Sequence, residues 1–200
     1  VKAAQPRFKI KGSEKKDIAT TPDAQLEQAK KLHPLLAMLQ TTGQGLSVCG
    51  YASVRDTAAI NHIIYSQLAK QILPSDMKLL WSAKPADGIQ AKNIFELHAL
   101  KVTTTNGRAP LEGNVVTTAK DEFNNITGQP EVSMTMNSEG ARRWAELTKA
   151  NVGKAIAIVL DGVVYSAPRV NGEIGGGQSS ISGNFTIEDT KDLANTLKSG

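Results

Sequence analysis

Cysteine is almost missing from this 200-residue chain, where Cys49 stands alone. An intramolecular disulfide is therefore excluded, while a reducing and an oxidising compartment both stay open. Aromatic residues are scarce as well, at 4% against 40% hydrophobic residues in all. The core is expected to be aliphatic, with Trp81, Trp144, Phe95 and Phe123 as its large anchors. No apolar run approaches the length a bilayer-crossing helix needs, and no signal-peptide pattern is present. Charge of one sign is weak too: the net value is +4, with its clearest excess at Lys9, Lys11, Lys15 and Lys16 and again at Lys30 and Lys31. A nucleic-acid binder would show a basic stripe interleaved with stacking aromatics, and none is found, so a solvated arm is the simpler reading. The chain starts at Val1 without a methionine, which leads to the expectation of a piece excised from a longer protein.

What the chain does contain is a legible order of elements. Residues 1–22, with two prolines and many lysines, are expected to form a flexible basic lead-in. Residues 23–130 form an N-terminal α+β part. Asp23 caps a helix to about Leu39, which Pro34 kinks or divides. A short strand is expected over Leu46 to Tyr51. A capping box at Ser53 to Asp56 opens a helix whose stripe is Ile60, Ile63, Ile64, Leu68 and Ile72, stopped by Pro74. Strands follow at Met77 to Trp81 and Ile94 to Thr104, around a turn at residues 84–88. Residues 131–200 read as β-α-β-β-loop-α. Val132, Met134 and Met136 alternate with polar residues, as in a strand buried on one face. Ser138 caps a helix carrying Ala141, Trp144, Ala145 and Leu147. Ala155 to Leu160 is a nearly continuous apolar run, expected to be a central strand. Asp161-Gly162 suits a type I′ turn. Thr186 and Asp189 form a second capping box, Leu193 and Leu197 pack inward, and Gly200 ends the helix. The fold class is α+β: an antiparallel sheet with helices packed mainly on one face.

Tests for chemistry come back empty. Gly172 to Ser180 is rich in glycine, but no Gly-Lys-Ser/Thr follows and the flanks read as hairpin, so a phosphate loop is not expected. Cys49 sits in an apolar run, and no histidine motif surrounds it; a buried, inert thiol is the reading. His33, His62 and His98 are scattered, without metal-ligand spacing. Glu188-Asp189 needs no role beyond stabilising a helix N-terminus. No catalytic residue, metal or cofactor is expected, and binding or mechanical coupling fits better than turnover.

Several blocks in order then carry a resemblance: Ser138-Glu-Gly-Ala141, Trp144-Ala-Glu-Leu-Thr148, Asn151-Val-Gly153 before the Ile156 to Asp161 strand, and Tyr165-Ser-Ala-Pro168. Gly175 to Gly177, Ile181-Ser-Gly-Asn-Phe-Thr186 and Asp192 to Gly200 complete it. From about Glu131 to Gly200, and more weakly over Gly50 to Thr118, the chain resembles the SecD family, in the head of its first periplasmic domain. The resemblance implies a non-enzymatic part of a multi-span protein, lying on the periplasmic side of the bacterial inner membrane. It implies transient binding of unfolded preprotein, moved forward in a proton-motive-force-dependent cycle, with SecF and SecYEG-type channel subunits as neighbours and no nucleic acid. A structural module docking on those subunits without touching substrate is the alternative. Ile174 lies between glycines on the loop after Val170, an apolar side chain on an expected mobile tip. Val170, Ile174, Gly175, Gly176 and Gly177 are therefore the substrate-contact candidates.

Overall fold

The computed structural model describes residues 32–43, 47–86, 93–183 and 185–199. The expected lead-in, the Asp23 cap, much of the turn after Pro85 and Gly200 lie outside them. The first helix among the described residues, α1 (Pro34–Met38), has proline at its first position, where the missing N–H costs nothing. Strands β1 (Gln40–Thr41) and β2 (Val48–Ser53) lead to helices α2 (Thr57–Ile64) and α3 (Gln67–Ile72). Strands β3 (Met77–Pro85) and β4 (Ile94–Lys101) follow, then β5 (Val116–Phe123), β6 (Pro130–Met136) and helix α4 (Ser138–Ala150). The hairpin β7 (Ile158–Leu160) and β8 (Val163–Ser166), strand β9 (Gln178–Ser182) and helix α5 (Ile187–Ser199) close the chain.

The fold is α+β, built on two sheets. One has six strands in the order β1-β2-β4-β3-β8-β7, and the other three, β5-β6-β9. Every neighbouring pair is antiparallel except β3 and β8, which run parallel with Ser82 opposite Val164. The division expected at residue 130 falls at the start of β6, whose partner β5 lies on the other side of it.

Two cores follow. In the smaller sheet Val132, Met134 and Met136 point to one face, as their alternation predicts, and meet Ala119, Ile181, Leu193, Ala194 and Leu197. Helix α5 lies over β5 and β6. Its start is the expected capping box: Thr186 N–H donates to Asp189 Oδ2 at 2.9 Å, and Asp189 N–H to Thr186 Oγ1 at 3.2 Å. The second core gathers Leu39, Ala52, Ile60, Ile64 and Leu97. Gly50 makes it possible, since a Cβ there would sit 2.8 Å from the Leu39 side chain.

Four expectations change. The long stripe is two helices: Ser66 Oγ accepts from Ala69 N–H at 3.1 Å and starts α3 afresh, so Leu68 and Ile72 are 66% and 71% exposed. No capping box forms at Ser53; Asp56 is the N-cap and its side chain makes no cap bond. Asn137, not Ser138, caps α4, accepting from Gly140 N–H at 2.8 Å. Phe123 is no anchor but 57% exposed, at the end of an edge strand. Leu193→Ala should therefore cost about 2–5 kcal/mol in a urea unfolding measurement, and Leu68→Ala within about 0.5 kcal/mol.

Candidate functional site

The Asp161-Gly162 turn has positive φ at both residues, 50° and 80°, as a type I′ turn requires. It reverses the chain so that β8 reaches β3 and β7 ends the six-stranded order. The Ala155 to Leu160 run is thus not a central strand: only Ile158–Leu160 is strand, and it lies at the edge. Its apolarity has another cause. Ile158 and Leu160 pack on the core of the smaller sheet, and Val159 alternates away from it.

Between this edge and residues 109–113 lies a cleft of about 180 Å³. Leu111, Met136, Trp144, Leu147, Ile158 and Leu160 are among its walls, which are mostly apolar. The size falls below the roughly 300–1,000 Å³ of small-molecule pockets and suits an apolar side chain. Trp144 brings a polar handle, because its Nε1–H is buried without a hydrogen-bond partner among the described residues. A buried donor left unpaired costs about 1–3 kcal/mol. Trp81, by contrast, gives its Nε1–H to Asn61 Oδ1 at 2.8 Å.

The glycine-rich loop runs beside α4. Val170 is buried, and its N–H and C=O bond Lys154 and Gly153. Ile174 is half-buried, and its N–H donates to Oγ1 of the fully buried Thr148 at 2.9 Å. Gly177, at φ +72°, is pressed on α4: a Cβ there would meet Ala141 Cβ at 2.7 Å. Only Gly175 and Gly176 are open on the surface. The expected mobile tip is thus a strap pinned at Val170, Ile174 and Gly177, a correction that Thr148 explains. None of the five loop residues lines the cleft. Sequence reasoning missed the cleft, although Trp144 and the apolar run before Asp161 were its available signals.

Elsewhere, the Cys49 thiol occupies a β-bulge and donates to Leu97 C=O at 3.2 Å, and burial pushes its pKa up, as befits an unreactive thiol. No cluster of metal-ligating side chains occurs among the described residues. His98 is 4% exposed; its Nε2 faces Glu96 Oε2 at 3.2 Å, and Nδ1 has no partner among the described residues. Burial pulls the imidazole pKa below its ordinary value, and Glu96 opposes this without reversing it. The β5–β6 hairpin tip holds Ile126 95% exposed. It is rigidly built: Asn124 Oδ1 accepts from Ile126 and Thr127 N–H, each at 2.9 Å, and Asn124 Nδ2 donates to Glu131 at 3.0 Å.

With this geometry in hand, comparison with known proteins is informative. Residues 93–200 match the family model "SecDF, P1 head subdomain". The chain is 45% identical over 169 residues to the "Protein translocase subunit SecD" of Rhodothermus marinus, covering 84% of this chain and 26% of that protein. It is 44% identical over 163 residues to the subunit of the same name from Leptotrichia buccalis, covering 82% and 34%. A solved structure of SecDF, described as a membrane component that enhances protein export, shares 28% identity and a TM-score of 0.44, over 99% of this chain and 79% of that one. An α+β domain with an apolar cleft and no catalytic constellation among the described residues is the class; the chain belongs to the SecDF P1 head family. It spans about a quarter to a third of the length of these curated relatives. No helix among the described residues is long and apolar enough to cross a membrane.

His98 yields a signed pH effect. Between the ordinary imidazole value and its lowered folded value, the unfolded chain binds a proton that the folded chain does not. Stability is therefore full above about pH 6.5 and falls as pH drops through that window. The urea midpoint should decrease between about pH 7.5 and about pH 5.5, and His98→Gln should flatten that part of the profile.

Proposed function

We propose that this domain transiently holds translocating preprotein on the periplasmic side of the bacterial inner membrane, as part of a SecD-type subunit working beside SecF and a SecYEG-type channel. It acts by binding and not by turnover, and a proton-motive-force-dependent cycle of the parent protein moves the held segment forward. The observation that carries this reading is the cleft: apolar walls, Trp144 among them, and room for a side chain. An unfolded chain offers any sequence, so a receptor for it needs an apolar pocket and contacts to the backbone, with modest affinity. The strap is the proposed second contact. Gly175 and Gly176 offer bare backbone, and Ile174 a half-exposed apolar surface, around the buried Val170 and Gly177.

One observation favours the docking reading: Ile126, on the same hairpin as the exposed Phe123, is an apolar point on a turn ordered by Asn124. Such a point suits a fixed protein partner better than a passing segment, because its order is prepaid. A photocrosslinkable residue placed at Leu147, Ile174 or Ile126 of the full-length protein, during export of a stalled substrate, separates the two. Substrate adducts at 147 and 174 that disappear when export is blocked upstream are expected. Adducts to channel subunits alone at all three positions would leave only the docking module.

A further inference from the structure

Resting on the capture reading, we infer that a bound segment enters as an added strand alongside β7, recognised through its backbone at Val159. The hairpin geometry dictates this. In a two-residue type I′ hairpin the residues flanking the turn, Leu160 and Val163, exchange both backbone hydrogen bonds. The next pair, Val159 and Val164, must then turn N–H and C=O away from each other. Val164 spends its outward groups on the parallel pairing with Ser82 of β3. Val159 turns its own to the opposite side, where β7 ends the sheet and no further strand pairs with it among the described residues. Outside the β7–β8 ladder, no backbone bond of Val159 occurs among those residues.

The open edge and the cleft adjoin, since Ile156 to Leu160 form one of the cleft's walls. A strand laid beside β7 shares its pleat. Its residues level with Ile158 and Leu160 point toward the core of the smaller sheet, and its intervening residue points outward with Val159. One apolar side chain thus enters the cleft, against the Trp144 ring among its walls, while the backbone pairs with Val159. The polar complement of the site is a backbone donor–acceptor pair on an edge, and its match is the donor–acceptor pair that an extended polypeptide backbone supplies. A small apolar ligand would leave those groups unpaired. Exposed edges are usually blunted by charge or proline; β7 is blunted only by its shortness, three residues with no charge.

The test uses the 200-residue chain and a short Ser/Thr-rich peptide with one central leucine, labelled for fluorescence anisotropy. A set of variants carries one backbone N-methyl group at each position in turn. Strand addition predicts alternation: methylation at every second position near the leucine weakens binding by about tenfold, the effect of one lost hydrogen bond, and methylation between them does little. Val159→Pro, which an outward-facing edge N–H tolerates structurally, should weaken the parent peptide similarly with the urea midpoint retained. The Val159 amide should also exchange more slowly in the complex. Binding that is blind to N-methylation, or unchanged Val159 exchange, overturns strand addition and leaves capture by the cleft standing. Failure of every peptide to bind overturns the capture reading and this inference together.

Discussion

The pairing of Val164 with Ser82 is the joint on which the rest depends. Two residues far apart in sequence meet there, in the only parallel contact of either sheet among the described residues, and Val164 is almost completely buried. This contact fixes the β7–β8 hairpin to the large sheet while its other strand reaches over the core of the small one. Because the hairpin belongs to both, a seam opens between β7 and residues 109–113, and the seam is the cleft. A second tie crosses nearby, where Lys84 at the end of β3 pairs with Asp189 of the α5 capping box. The Asp189 carboxylate also stabilises the helix through its dipole, and Lys84 reaches it from the strand side.

The cleft survives because each group around it has a reason to stay where it is. Met134 and Met136 face the core by strand alternation, and α5 covers the far side. Helix α4 is held by its Asn137 cap and by Gly140, where a Cβ would stand 2.7 Å from Val115. On its other flank the strap is fastened at Thr148, whose hydroxyl donates back to Trp144 C=O at 2.8 Å and accepts from Ile174. A change in the strap is thereby coupled, through one buried hydroxyl, to the turn of helix that carries Trp144.

Local chemistry was legible in the sequence; non-local geometry was not. Asp161-Gly162, the Thr186 to Asp189 box and the alternation of Val132, Met134 and Met136 each depend on a few neighbouring residues, and each is in place. Tyr65-Ser66 shows where the reading failed. Hydrophobic periodicity runs through it, but a serine cap starts a new helix and turns Leu68 and Ile72 outward. The same limit misplaced Ala155 to Leu160: an apolar run reports burial of side chains, not the position of a strand in a sheet. Trp144 and the apolar run before Asp161 marked two walls of the cleft, but not the cleft itself, because its walls come from segments far apart in sequence. The strap residues were visible as a glycine-rich loop, yet nothing local reveals that a helix threonine 26 residues earlier would pin it.

The most direct measurement is the indole region of a ¹H–¹⁵N spectrum while an unfolded preprotein segment is added. The chain has two tryptophans: Trp81, with its Nε1–H bonded to Asn61, and Trp144, in the cleft wall and without a hydrogen-bond partner for its Nε1–H among the described residues. The account predicts that the Trp144 signal shifts as the segment fills the cleft its ring lines, while the Trp81 signal holds still. A Trp144 signal that stays fixed with the segment bound, or a shift confined to Trp81, would contradict it.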